Sequence, residues 1–173
     1  MSKPSRATDP QSIKAESRTF FVTTRTAEGR ALLQTDRMAG LFFDVLRGYM
    51  GAGKFKVHDF AVMPNHVHLL LTVVGGMTIE KAVQLIKGNF SYRASKELGI
   101  KREIWQRGFS EVQVRDEAGF RAHQLYIYNN PVKAGLAATA VEYQHGSLYL
   151  RRRKAQGLKP ETKMGSGTTK VVP

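Results

Sequence analysis

Residues 54–74 hold two strand-like apolar runs with only Pro64 and Asn65 between them. The first, KFKVHDFAVM, alternates: Phe55, Val57, Asp59 and Ala61 share one face, and Lys56, His58, Phe60 and Val62 the other. The second, HVHLLLTV, supplies a partner strand, and Pro-Asn is a turn signal. An antiparallel hairpin is therefore expected, and the remaining elements must be compatible with the sheet it starts.

Upstream, RTFFVTTRT at 18–26 is rich in β-branched and aromatic residues and predicts a strand. Leu41, Phe42, Val45, Leu46 and Tyr49 recur at helical spacing within 36–50, and Gly51 and Gly53 stop that helix. Downstream, Thr78 reads as the N-cap of a helix running to Leu98, which Gly99 ends. A strand lies within 105–115, with Phe109, Val112 and Val114 as its apolar residues. A last helix starts at Asp116 or Glu117 and stops near Asn129, because Pro131 pushes Asn130 out of the helical region. The order β-α-β-β-α-β-α predicts an α+β, ferredoxin-like fold: an antiparallel sheet with helices on one face. The folded unit spans 18–150, between a polar, flexible leader at 1–17 and a basic, disordered tail at 151–173.

Charge narrows the partners. The 27 Lys and Arg against 14 Asp and Glu give +13, which favours polyanions, with nucleic acid first and an acidic membrane surface second. The tail holds seven basic residues against Glu161 alone, so about half of the excess remains on the body. No apolar run is long enough to cross a bilayer, so no membrane association is expected. The first residues show no apolar signal region, and a cytoplasmic location is expected. Without cysteine, disulfides, thiolate metal sites and cysteine nucleophiles are excluded.

His66 and His68 open the second strand of the hairpin. Residues i and i+2 share a face, so the two imidazoles lie side by side and make half of a metal site, while Val67 points into the core. The same spacing also suits two ordinary histidines at a core edge. In the last helix, Tyr126 and Asn130 are one turn apart and share a face if the helix persists. A phenol and an amide oxygen, a hard ligand for Mg²⁺ or Mn²⁺, would then be neighbours. Such a set suits phosphodiester cleavage by an oxygen nucleophile. Lys87, Arg93, Arg107 and Arg115 with Trp105 and Phe109 make a plausible DNA surface of cations and stacking rings. A solvated basic face with core aromatics accounts for them equally. His58 should face away from Asp59, and His123 falls near Tyr126; both read as surface or supporting residues.

The string from Met63 to Leu70, MPNHVHLL, resembles the HUH motif of single-tyrosine transposases. The segment from Trp105 to Phe109, WQRGF, is similar to the WQ segment that follows it there. The segment from Tyr126 to Leu136, YIYNNPVKAGL, resembles the nucleophile helix of the REP-associated tyrosine transposase branch. The resemblance covers roughly 18–150 in element order. It implies an HUH nuclease domain with Mg²⁺ or Mn²⁺ on His66 and His68, Asn130 as third ligand, and Tyr126, rather than Tyr128, as nucleophile. It implies a 5′-phosphotyrosine link, a free 3′-hydroxyl, and single-stranded DNA recognised through a hairpin by a monomer or homodimer. Asn130 stands where insertion-sequence relatives usually carry glutamine, Phe109 where many carry tyrosine, and 142–147 lack an expected tryptophan. The alternatives are a non-catalytic single-stranded nucleic-acid binder on a ferredoxin-like sheet, and metal-dependent hydrolysis by water with Tyr126 structural.

Overall fold

A computed structural model describes residues 17–157. Its elements are β1 (Arg18–Arg25), α1 (Asp36–Gly51), β2 (Phe55–Met63), β3 (His66–Val73), α2 (Ile79–Leu98), β4 (Ser110–Val114), α3 (Glu117–Lys133) and α4 (Ser147–Ala155). The four strands form one antiparallel sheet in the order β2-β3-β1-β4. The hairpin and the ferredoxin-like element order are as expected. Thr35, Thr78 and Asp116 cap α1, α2 and α3 by accepting backbone N–H groups with their side chains. Gly99 ends α2 in the left-handed conformation at φ 68°, which a residue with a Cβ adopts at a cost. No helix among the described residues is long and apolar enough to cross a membrane.

Alternation along β1 and β3 divides the interior. Phe20, Val22, Val67, Leu69 and Leu71 pack under α1 and α2 with Phe42, Leu46, Ile86 and Phe90. Leu70 and Phe21 point the other way, into a smaller cluster with Ala61, Met63, Ile127 and Tyr143. Helices on one face were expected; instead α3 covers the opposite face. The reason is in β3, which is apolar on both sides, so both faces of the sheet must be shielded from water.

Three local departures position the candidate site. First, the pairing of β2 with β3 slips between Val57 and Asp59. The bulge splits the expected alternation, so Phe60 and Val62 join the α1/α2 core while Asp59, Ala61 and Met63 turn toward α3. His58 turns the same way, with its ring 5.1 Å from Phe120 of α3 and Nε2 2.7 Å from Thr72 Oγ1, rather than facing away from Asp59. Second, α3 does not stop near Asn129 but runs through Pro131 to Lys133. Beyond the proline, Ala134 N–H donates to Asn130 O at 3.0 Å and Leu136 N–H to Pro131 O at 2.9 Å, and the proline is itself buried. Third, α4 crosses the expected boundary at residue 150, so Arg151–Ala155 are helical rather than tail. Residues 1–16 and 158–173, where most of the leader and tail were expected, lie outside the described residues.

Candidate active site

His66 and His68 leave β3 on the α3 face, with ring centroids 4.7 Å apart, while Val67 is fully buried on the other side. The strand register seats His68 between Thr23 of β1 and Ala61 of β2. Its Nδ1 lies 2.8 Å from Thr23 Oγ1. Its Nε2 is buried and has no hydrogen-bond partner. Burial, helped by positive charge at His66 and Arg25, pushes the His68 pKa down to about 3, so the ring is neutral at ordinary pH. His66 Nδ1 sits 2.7 Å from Asn65 Oδ1 in the turn. Burial and Arg25 lower the His66 pKa, and a hydrogen bond to the Asn130 side chain opposes them.

The Tyr126 ring lies edge-on to His68, 5.3 Å between centroids, and 5.6 Å from Phe21 of β1. Phe21 in turn stacks on His68 at 5.4 Å and meets His123 at 4.8 Å, so His123 and Tyr126 border the same ring. Tyr126 keeps 44% of its surface exposed, enough for a substrate to approach. Lys133, which reaches the same side because α3 passes through Pro131, has Nζ 5.9 Å from the Tyr126 ring centroid. Tyr128 is placed quite differently. Its hydroxyl donates to Asp59 Oδ1 at 2.8 Å, and burial with the adjacent carboxylate raises its pKa. Of the two tyrosines, Tyr126 is the one beside the histidines.

Among the described residues no group of three or more His, Cys, Asp and Glu side chains gathers to hold a metal. The donors that do gather are two imidazoles and the Asn130 amide. Two neutral imidazole nitrogens and an amide oxygen are a donor set that fits a divalent cation. The orphaned His68 Nε2 is the observation behind that fit, since a buried polar atom without a partner is costly unless a ligand satisfies it.

Several residues expected on a DNA surface are engaged elsewhere. Trp105 is only 6% exposed and packs on Phe42 and Phe90 at 6.1 and 5.4 Å, so it is a core residue and not a stacking platform. Phe109 packs partly against the same core. Lys87 donates to the Gln106 and Gly108 carbonyls at 2.8 and 2.9 Å, clamping the loop before β4, and burial lowers its pKa. Arg93 pairs with Glu97 at 2.6 Å and Arg115 with Gln113 at 3.2 Å, both at the surface. Arg107 is exposed on the loop that Lys87 clamps. Sequence reasoning missed Thr23, Asn65 and Phe21, which orient the histidines. Asn65 was signalled by its place in the turn; Thr23 and Phe21 carry no local signal, because only strand pairing brings them to His68.

The chain is similar to known proteins in sequence and in fold. The family described as transposase, IS200-like, matches residues 19–130. A REP-associated tyrosine transposase of Escherichia coli is 28% identical over 143 residues, 82% of each chain. A putative REP-associated tyrosine transposase of Haemophilus influenzae is 26% identical over 153 residues, 79% of this chain and 86% of the relative. A solved REP-associated tyrosine transposase bound to a REP hairpin superposes with TM-score 0.66 at 25% identity over the full length of both chains. A putative transposase of Deinococcus radiodurans shares the fold, with TM-score 0.52 at 22% identity over 74% of this chain and 97% of its own. The family match spans more than half of the sequence, and the chain belongs to the IS200-like transposase family.

Proposed function

We propose that the protein cleaves and rejoins single-stranded DNA beside a hairpin, with Tyr126 as the attacking group. The observation that carries the reading is the Tyr126 ring lying against His68, on the same sheet face and at the exposed edge of α3. A divalent cation held by His66, His68 and Asn130 would draw charge from the non-bridging oxygens of the scissile phosphate. Thr23 and Asn65 fix the two imidazole rings before substrate arrives, which lowers the cost of assembling the site. Tyr126 Oη forms a bond to phosphorus as the bond to the 3′-oxygen breaks. The phenol gives up a proton and the departing 3′-oxygen takes one up. A 5′-phosphotyrosine ester and a free 3′-hydroxyl result. Attack by a 3′-hydroxyl on the ester reverses the step, so strands rejoin without ATP.

The hairpin is proposed from the relative solved with one, together with the net charge of +13. A cytoplasmic location fits a substrate of this kind. A passive binder displaying its open sheet face has less support, because α3 occupies the face that carries the histidines. The test is a denaturing gel of protein, Mn²⁺ and hairpin-bearing single-stranded DNA. A covalent adduct is expected, lost on chelation and in Tyr126→Phe, while that variant keeps its hairpin affinity. Adduct in Tyr126→Phe, or cleaved DNA carrying a free 5′-phosphate and no protein, would reject the proposal.

A further inference from the structure

A buried carboxylate of β2 accepts hydrogen bonds from the helix that carries Tyr126. Asp59 is 1% exposed. Its Oδ2 accepts Gln124 Nε2 at 2.7 Å, and its Oδ1 accepts Tyr128 Oη at 2.8 Å and Ser147 Oγ at 2.9 Å. Arg151 of α4 closes an ion pair with the same carboxylate, bonds to the Tyr128 hydroxyl, and donates to His58 O at 3.0 Å. Asp59 faces this side only because the β2 bulge turns it there.

Gln124 and Tyr128 are one helical turn apart and share a face of α3. Tyr126 lies between them in sequence and roughly 160° to 200° around the axis, at about 100° per residue. The two donors therefore hold one side of the helix to Asp59 while the other side presents Tyr126 to His68. Apolar packing on α3 is modest: Ile127 and Pro131 are buried, and Phe120 and Tyr128 pack partly against the same cluster. Hydrophobic burial is non-directional, whereas hydrogen bonds to one fixed carboxylate are directional. Rotation matters because a reacting group displaced by about 1 Å loses about 10²-fold in rate.

We propose that Asp59 is a positioning residue for the transfer reaction. Gln124 and Tyr128 are the contacts through which it sets the rotation of α3, and Arg151 ties that setting to α4. This rests on Tyr126 being the nucleophile.

The test uses the full chain and a double variant, Gln124→Met with Tyr128→Phe, which removes both α3 donors and keeps side-chain bulk. With the fold verified by circular dichroism, hairpin affinity in chelator should stay within about twofold of wild type, while the single-turnover adduct rate falls about tenfold or more. Arg151→Met should lower the same rate, and Arg151→Lys should recover most of it. Independently of chemistry, amides of residues 125–130 should exchange about tenfold faster in the double variant, with those of α1 unchanged. Should the double variant not fold, Tyr128→Phe alone is carried through the same measurements. A folded variant with the wild-type adduct rate, or with unchanged α3 exchange, overturns the proposal. Should the wild-type protein form no adduct, the Tyr126 reading falls, and amide exchange alone decides whether Asp59 sets the helix.

Discussion

Replacing Thr23 by Val removes one hydroxyl from the candidate site and little else. Both side chains are β-branched and of similar volume, so strand β1 and its pairing with His68 are kept. What disappears is the 2.8 Å contact to His68 Nδ1. His68 Nε2 already lacks a partner, so the ring would be left with neither nitrogen satisfied. An unmet buried group costs about 1 to 3 kcal/mol, which sets the expected loss of folding stability in urea. The larger effect falls on the metal. With Nδ1 donating to Thr23, the Nε2 lone pair is held toward the site; without that bond the tautomer and ring angle are free. Losing such a supporting bond typically weakens metal binding by about 10- to 100-fold, or about 1.4 to 2.7 kcal/mol. Calorimetric titration with Mn²⁺ measures this, with His68→Ala as the reference for a lost ligand. Adduct formation by Thr23→Val should return toward the wild-type rate at high Mn²⁺. Unchanged Mn²⁺ affinity in Thr23→Val would show that Thr23 does not prepare His68 as a ligand.

Other consequences are equally direct. Mn²⁺ at 100 times its dissociation constant should raise the unfolding free energy by about 2.7 kcal/mol, and His68→Ala should lose that gain in a chemical denaturation series. Trp105→Ala should cost about 3 to 5 kcal/mol of stability, as expected for a large core ring, while the protein that remains folded binds hairpin DNA normally. A folded variant that loses DNA affinity instead would restore Trp105 as a stacking residue. Lys87→Met should lower stability by about 1 kcal/mol, through the loop carbonyls it clamps, and leave the salt dependence of DNA binding intact. Arg107→Ala should reduce the salt slope by about one phosphate contact, and the reverse pattern in salt titrations would refute both assignments.

The hairpin, the capped helices and the histidine pair were legible because each rests on local periodicity and capping chemistry. His66 and His68 share a face in any strand, whatever surrounds it. Features set by distant pairing were not legible. The bulge at Val57/Asp59 inverts the face of half a strand without any Gly or Pro to announce it. It turned Asp59 toward α3, where it meets Gln124 and Tyr128. Pro131 reads locally as a stop, yet backbone bonds from Ala134 and Leu136 carry the helix past it and bring Lys133 to Tyr126. Trp105 looked like a DNA contact because it sits among cations. Its neighbours in space are Phe42 and Phe90, far away in sequence. The basic run after residue 150 suggested a solvated tail, while Arg151 meets a buried carboxylate 92 positions earlier. The choice of Tyr126 over Tyr128 rested on resemblance to the family motif and on Asn130 sharing the helical face of Tyr126. The geometry adds a physical reason, since Tyr128 is committed to Asp59 and Tyr126 is free beside His68.

The central claim is that Tyr126 takes the DNA. The most direct measurement is peptide mapping by mass spectrometry of the covalent complex formed with Mn²⁺ and hairpin-bearing single-stranded DNA. The predicted result is a nucleotide phosphate on Tyr126 and an unmodified Tyr128. A nucleotide on Tyr128 or on any other residue would contradict the account.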